Sequence, residues 1–340
     1  MTRRAACTIA AALALGTGLA TPAAAFEIGV QDDGAFYGGE FDRSIALDRI
    51  EELGATTIRA DVIWSFFKAH GYKQFDAMVD DAAARGIKVQ FTLYGTPRYD
   101  HGDRYISYYR PSAARYAKWI GDFAHHFKGR VQRWAVWNEP NLAQFLAPLP
   151  QSAPMYRTIY EAAYKALKRA DPRNKVLFGE LAAQKRTFEW IRSMTGPKGA
   201  PLRLKADGFA YHPYQFFVAP GARDSRFLGL SNTPKIQTGV RALAHDGILR
   251  TPSGGTPSVY YTEFSYPLGR PYPTPEWRRT DWIPRGFLLA KRAGIKQVVY
   301  YKLFLRPAGA NWNSGLLHVD GSPTPSFDAL RRTRSSLVGS

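Results

Sequence analysis

The stretch Trp134-Ala135-Val136-Trp137-Asn138-Glu139-Pro140-Asn141 begins as an apolar strand and stops at a carboxylate followed by proline. Alternation puts Val131, Arg133, Ala135 and Trp137 on one face, with Trp134 and Val136 on the other. Such a pattern suits a strand covered on both sides. Pro140 has no N–H and biases Glu139 toward an extended conformation, so the strand ends there. Asn138 and Glu139 therefore stand at a C-terminal strand tip.

Seven further strands follow the same logic, at 26–30, 57–60, 88–94, 176–179, 207–212, 258–263 and 297–302. Between them lie apolar stripes at helical spacing. Ile45, Leu47, Ile50 and Leu53 are stopped by Gly54, and Tyr116, Trp119, Ile120, Phe123 and Phe127 follow the opening Tyr109-Arg110-Pro111-Ser112. Tyr156, Ile159, Tyr160, Ala163 and Leu167 precede Asp171-Pro172. Other helices are expected from about Phe75 to Gly86, Phe188 to Met194, Ile236 to Leu243, Asp281 to Ala293 with a kink at Pro284, and Ser326 to Arg334. No hairpin turn, internal repeat or linker interrupts this series. Eight strands each followed by a helix predict a single-domain α/β fold, the (β/α)8 TIM barrel, whose chemistry sits at the C-terminal strand tips. An open doubly wound sheet would carry a glycine-rich turn after the first strand. Gly34, Gly38 and Gly39 do not form one.

Residues 1–25 read as a secretory signal peptide: Arg3 and Arg4, an apolar run from Ala5 to Leu15, and Ala23-Ala24-Ala25 before Phe26. The arginine pair leaves Sec and twin-arginine export both open. The run is too short to span a bilayer and no later stretch is long enough, so the expected product is a secreted, extracellular domain of residues 26–340 with no membrane span. The single cysteine, Cys7, falls in the leader, which excludes disulfides and thiolate chemistry from the mature chain. The formal charge of +18 becomes +16 without Arg3 and Arg4. The basic residues are scattered over helix faces and loops, with no nucleic-acid-binding signature, so a solvated basic surface is expected rather than a nucleic acid site. An anionic cell-wall or matrix polymer is the partner such a surface would suit.

Val259-Tyr260-Tyr261-Thr262-Glu263-Phe264 repeats the pattern of the opening stretch 124 residues downstream. Two glutamates at the tips of strands four and seven face one barrel mouth. That pairing is what glycosidic cleavage requires: one carboxylic acid protonates the leaving oxygen while the other attacks or activates water. Their environments must differ so that one keeps its proton while the other is ionised.

On these motifs the mature chain, from Ile28-Gly29-Val30 to Gly315-Leu316-Leu317, resembles the clan A glycoside hydrolases, families 39 and 5 in particular. The resemblance implies a retaining β-glycosidase acting on an oligo- or polysaccharide by double displacement, with the carboxyl groups about 5–5.5 Å apart. It makes Glu139 the acid/base and Glu263 the nucleophile. Asn138 would bind the sugar 2-hydroxyl, Arg59 would hold the nucleophile, and His212 in Tyr211-His212-Pro213-Tyr214 would take the strand-six position. Tyr214 either bonds the nucleophile or packs. Glu180 ranks behind the pair, having no Asn before it and no counterpart in the family. Trp64, Tyr94, Trp137, Tyr301 and Trp312 are candidates for stacking on sugar. The chain departs from the clan at strand eight, where Val298–Phe304 contains no Trp and Tyr301 or Trp312 would have to substitute.

No cofactor is implied. The histidines show no metal-ligand spacing and no Gly-x-Ser-x-Gly elbow is present, which argues against metal and Ser-His-Asp chemistry. Two other readings use the same residues: a transglycosylase, and a barrel that binds carbohydrate without cleaving it.

Overall fold

The computed structural model of the protein describes residues 25–97, 108–195, 199, 202–307 and 309–338. The expected leader lies outside the described residues, apart from Ala25, as does most of the loop from Asp100 to Arg110. Eight parallel strands form a closed barrel: β1 Glu27–Gln31, β2 Thr57–Ile63, β3 Lys88–Tyr94, β4 Arg133–Val136, β5 Lys175–Ala182, β6 Gly208–His212, β7 Ser258–Phe264 and β8 Gln297–Tyr301. Each bonds its sequence neighbours, and β1 pairs with β8 to close the ring. The surrounding helices are α1 Arg43–Glu52, α2 Lys73–Ala84, α3 Ala113–His126, α4 Ser152–Ala170, α5 Thr187–Arg192, α6 Thr233–His245, α7 Glu276–Arg292 and α8 Pro325–Arg332. The chain is a (β/α)8 barrel, as the strand and helix periodicities predict.

Local chemistry sets the helix starts. The Asp42 side chain accepts from Ile45 N at 3.1 Å to cap α1, and Ser112 caps α3 through Arg115 N at 3.4 Å. The α7 helix runs through Pro284 without ending. Short elements add to the expected plan, among them helices over Asp33–Phe36 and Arg334–Val338. A short helix, Trp64–His70, follows β2 directly, and a small two-stranded ladder pairs Leu204–Lys205 with Leu249–Arg250.

Strand alternation divides the core in two. Outward side chains such as Phe91 and Trp134 pack on Phe123 of α3. Among the inward ones, Ala135, Leu177 and Ala210 form their own cluster with Tyr260. Near the base of the barrel, the Arg133 guanidinium lies 5.1 Å from the Tyr260 ring centroid and grips Glu27 with two hydrogen bonds, 2.5 and 3.1 Å.

The opening stretch departs from simple alternation at its end. β4 stops at Val136, because Trp137 adopts a left-handed φ of +67°. Glu139 is also left-handed, at φ +39°, rather than extended as its neighbour Pro140 suggests. Two positive-φ residues separated by one position are costly for non-glycine side chains and mark a segment shaped for something other than stability. Tertiary bonds hold it: Trp137 N to Leu93 O at 2.9 Å, Glu139 N to Glu180 O at 2.8 Å, and a reciprocal pair of 3.0 Å bonds between the Asn141 side chain and the Ala182 backbone.

Candidate active site

Alternation from the inward Leu177 and outward Phe178 would turn Glu180 toward the helices. Instead β5 carries a bulge: Phe178 pairs with Phe209 and Leu181 with Tyr211, so Gly179 and Glu180 together oppose Ala210. Gly179 is required there, since its φ is +119° and a Cβ would come within 2.4 Å of the Ala210 carbonyl oxygen. The bulge, with Glu180 itself at φ +50°, swings that carboxylate inward. β7 repeats the device. Tyr261 pairs with Val298 and Phe264 with Tyr300, leaving Thr262 and Glu263 opposite one residue of β8 and turning Glu263 into the barrel. Arg59 and Asp61 reach the interior by plain alternation on β2, and His212 does so on β6.

These irregularities converge on Arg59, which is completely buried. Its Nη2 donates to Glu180 Oε2 at 2.7 Å and to Asn138 Oδ1 at 3.1 Å. Its Nη1 donates to Gln31 Oε1 and to Glu263 Oε2 at 3.2 Å, and lies 3.1 Å from Asp61 Oδ1. His212, equally buried, bridges two carboxylates: Nδ1 to Glu139 Oε1 at 3.0 Å and Nε2 to Glu180 Oε2 at 2.9 Å. The Tyr214 hydroxyl donates to Glu263 Oε1 at 2.7 Å. One oxygen of Glu139, one of Glu263 and a ring nitrogen of His212 all fall within 4.8 Å of one another.

The electrostatics separate the three glutamates. Burial pushes the Glu139 carboxyl up, the nearby Glu263 charge adds to this, and the hydrogen bond from His212 offsets only part. Burial also acts on Glu180, but Arg59 and His212 outweigh it and bring that carboxyl below its ordinary value. Burial alone would neutralise His212. The Glu263 charge, the hydrogen bonds to Glu139 and Glu180 and the Glu180 charge reverse this and push it up to about 10, so it is an imidazolium at neutral pH. Such a ring donates from both nitrogens.

Above this layer opens a cleft of about 290 Å³. Asn138, Glu139, Glu263 and Asp61 contribute its polar wall. Tyr94, Tyr214, Tyr301 and Trp312 line it together with Phe216 and Tyr272. The Trp312 ring packs on Tyr214 at 5.0 Å and on Phe216 at 5.5 Å.

Two of the expected stacking residues do not reach it. Trp64 lies flat on Trp119 at 5.0 Å, between the barrel and α3. Trp137 is fully buried because its positive φ turns the indole outward, where Nε1 donates to Phe145 O at 2.7 Å and the ring meets Tyr116. Arg59 and His212 also lie beneath the cleft floor, so they reach any bound molecule only through the groups they hold. The sequence ranks Glu180 behind the pair, although Gly179 within the strand is a signal for the bulge, and it offers Asp61 only as a structural ion-pair partner for Arg59.

No protein-family model and no curated protein matches the sequence. Solved structures match the fold. The chain is similar to a family 39 glycoside hydrolase from the gut symbiont Bacteroides cellulosilyticus WH2, at TM-score 0.70 and 19% identity, over 93% of this chain and 64% of that one. It is also similar to a GH39 β-xylosidase from Caulobacter crescentus, at TM-score 0.65 and 20% identity over 91% and 70% of the two chains. An endo-β-1,4-mannanase from Thermotoga petrophila matches at TM-score 0.62 and 12% identity, over 94% and 78%. The chain thus spans a little under two thirds of the length of the first of these. The (β/α)8 fold is the one shared with these glycoside hydrolase structures, and in this chain it carries a carboxyl pair at the tips of β4 and β7.

Proposed function

We propose that the protein is a retaining β-glycoside hydrolase in which Glu139 is the acid/base and Glu263 the nucleophile. The carrying observation is the close approach of these two carboxylates, within 4.8 Å, across one aromatic-walled cleft. A gap of that size fits direct attack by one carboxylate, whereas an inverting pair is set about 6.5–9.5 Å apart to admit water. Glu263 receives hydrogen bonds from Tyr214 and Arg59, which fix its two oxygens. It attacks the anomeric carbon while Glu139, whose carboxyl burial raises, protonates the leaving oxygen. In the second step Glu139 takes a proton from water, and that water releases the sugar from Glu263. The fold neighbours include a β-xylosidase, a mannosidase and a glucosidase, so the reading stops at the β-glycoside class.

Glu139→Gln tests the assignment. Turnover of glycosides with poor leaving groups is expected to fall by about 10²–10⁴-fold, with glycosylation by dinitrophenyl glycosides spared. Equal losses on both substrate types would remove Glu139 from the acid role, and an inverted first product by NMR would remove retention. Export through residues 1–25 belongs to the same proposal. Its check is N-terminal sequencing of the exported chain, expected to begin at Phe26.

A further inference from the structure

Asp61 is a third acidic side chain in the cleft, and the proposed chemistry gives it no task. Its residue is 8% exposed, yet it lines the cavity. Oδ1 is buried against the Arg59 guanidinium, 3.1 Å from Nη1, so the 11% exposure of the side chain turns the rest of the carboxylate to the cleft. The two Nη groups of Arg59 donate to Glu180, Asn138, Gln31 and Glu263. With one oxygen held by a cation, the cleft-facing side of the carboxylate is an acceptor oriented for a ligand hydroxyl. The backbone fixes Asp61 rather than its side chain doing so: Asp61 N donates to Asp33 Oδ1 at 3.0 Å and Tyr37 OH donates to Asp61 O at 2.5 Å.

Topology says which part of a ligand it meets. Around the barrel, β5 and β6 separate β4 from β7 on one side, and β3, β2, β1 and β8 on the other. The leaving group must lie beside its proton donor Glu139, where Leu142, Gln144 and Gln184 line the cleft. The retained sugar then extends toward the second arc, which holds Tyr94, Tyr301 and Asp61. No Lys, Arg or His lines the cleft among the described residues.

We infer that Asp61 is a specificity-determining residue that accepts a hydrogen bond from a hydroxyl of the retained sugar remote from its anomeric carbon, and that this sugar carries no carboxylate. The inference rests on the glycosidase reading for the direction of binding. It separates the cleft from the basic outer surface, whose charge would favour an anionic polymer.

The test is a substrate-by-variant cycle. Wild type, Asp61→Ala and the shape-conserving Asp61→Asn are assayed on the best aryl β-glycoside of a panel, its 3-deoxy and 4-deoxy analogues, and the matching uronide. Removing the partner hydroxyl is expected to lower wild-type kcat/KM by on the order of 10²-fold or more. That penalty should nearly vanish in Asp61→Ala and shrink in Asp61→Asn, and the uronide should not turn over in wild type. Deoxy penalties that are the same in all three proteins, or efficient turnover of the uronide, overturn the inference. Saturation-transfer NMR with the parent monosaccharides runs alongside. If no glycoside is cleaved the glycosidase reading fails, while sugar binding lost in both variants still supports Asp61. Binding indifferent to Asp61, or no binding at all, overturns it.

Discussion

At the base of the barrel one carboxylate meets one guanidinium, whereas at the mouth five carboxyl groups surround two cations. The base pair, Glu27 with Arg133, is bidentate and balanced, with Lys88 3.6 Å away. Burial alone would raise the Glu27 carboxyl, but Arg133 outweighs it and the group is held below its ordinary value. At the mouth, Asp33, Asp61, Glu139, Glu180 and Glu263 share Arg59 and His212. Glu180 takes both cations at bonding distance and is lowered. Burial then dominates for its neighbours: Glu139 is raised, Asp33 is raised well above its usual value with help from Asp61, and Asp61 is pushed up to about 6. A deficit of cations thus raises the buried carboxyls that no cation compensates. The base holds the fold closed, and the mouth trades stability for a poised carboxyl.

The contrast breaks most severely at Glu180. Glu180→Ala leaves Arg59 and His212 buried without their shared partner, so a loss of about 3–5 kcal/mol is expected by chemical denaturation. Catalysis should also fall, because Glu263 and Asn138 lose the guanidinium that aligns them. Glu180→Ala with unchanged stability would show that the mouth is not held through Arg59.

Glu27→Gln probes the balanced end. About 1.5–3 kcal/mol should be lost, with kcat and KM unchanged. Because the Glu27 carboxyl is depressed on folding, its contribution is complete above the ordinary glutamate value of about 4.3 and disappears as pH falls through the lower folded value. His212 has the opposite sign. Raised from about 6.5 to about 10, it contributes fully below the unfolded value and loses its contribution as pH rises through the folded one. Denaturation curves at acid and alkaline pH should therefore separate the two ends of the barrel, and matching profiles for Glu27→Gln and His212→Asn would erase the distinction.

The smallest effect sharpens the comparison within the aromatics. Trp312→Ala should raise KM by up to roughly tenfold, for a stacking contribution of about 0.5–1.5 kcal/mol. Trp64→Phe should leave KM alone and cost only stability, because its ring contacts Trp119 rather than the cleft.

The sequence by itself determined the eight strands, their helices and the parallel barrel, because apolar periodicity and helix stops are local and repeat along the chain. It also placed Glu139 and Glu263 at strand tips, since a strand that runs into a lone carboxylate is readable in one dimension. What only the tertiary structure decided is which way those tips point. Alternation sends Glu180 and Glu263 outward and Trp137 inward, and the structure reverses all three through two bulges and a left-handed turn. A bulge depends on register against the neighbouring strand, and a left-handed glutamate or tryptophan persists only where distant backbone groups hold it. Of these features only the β5 bulge leaves a mark in the sequence, the glycine at position 179.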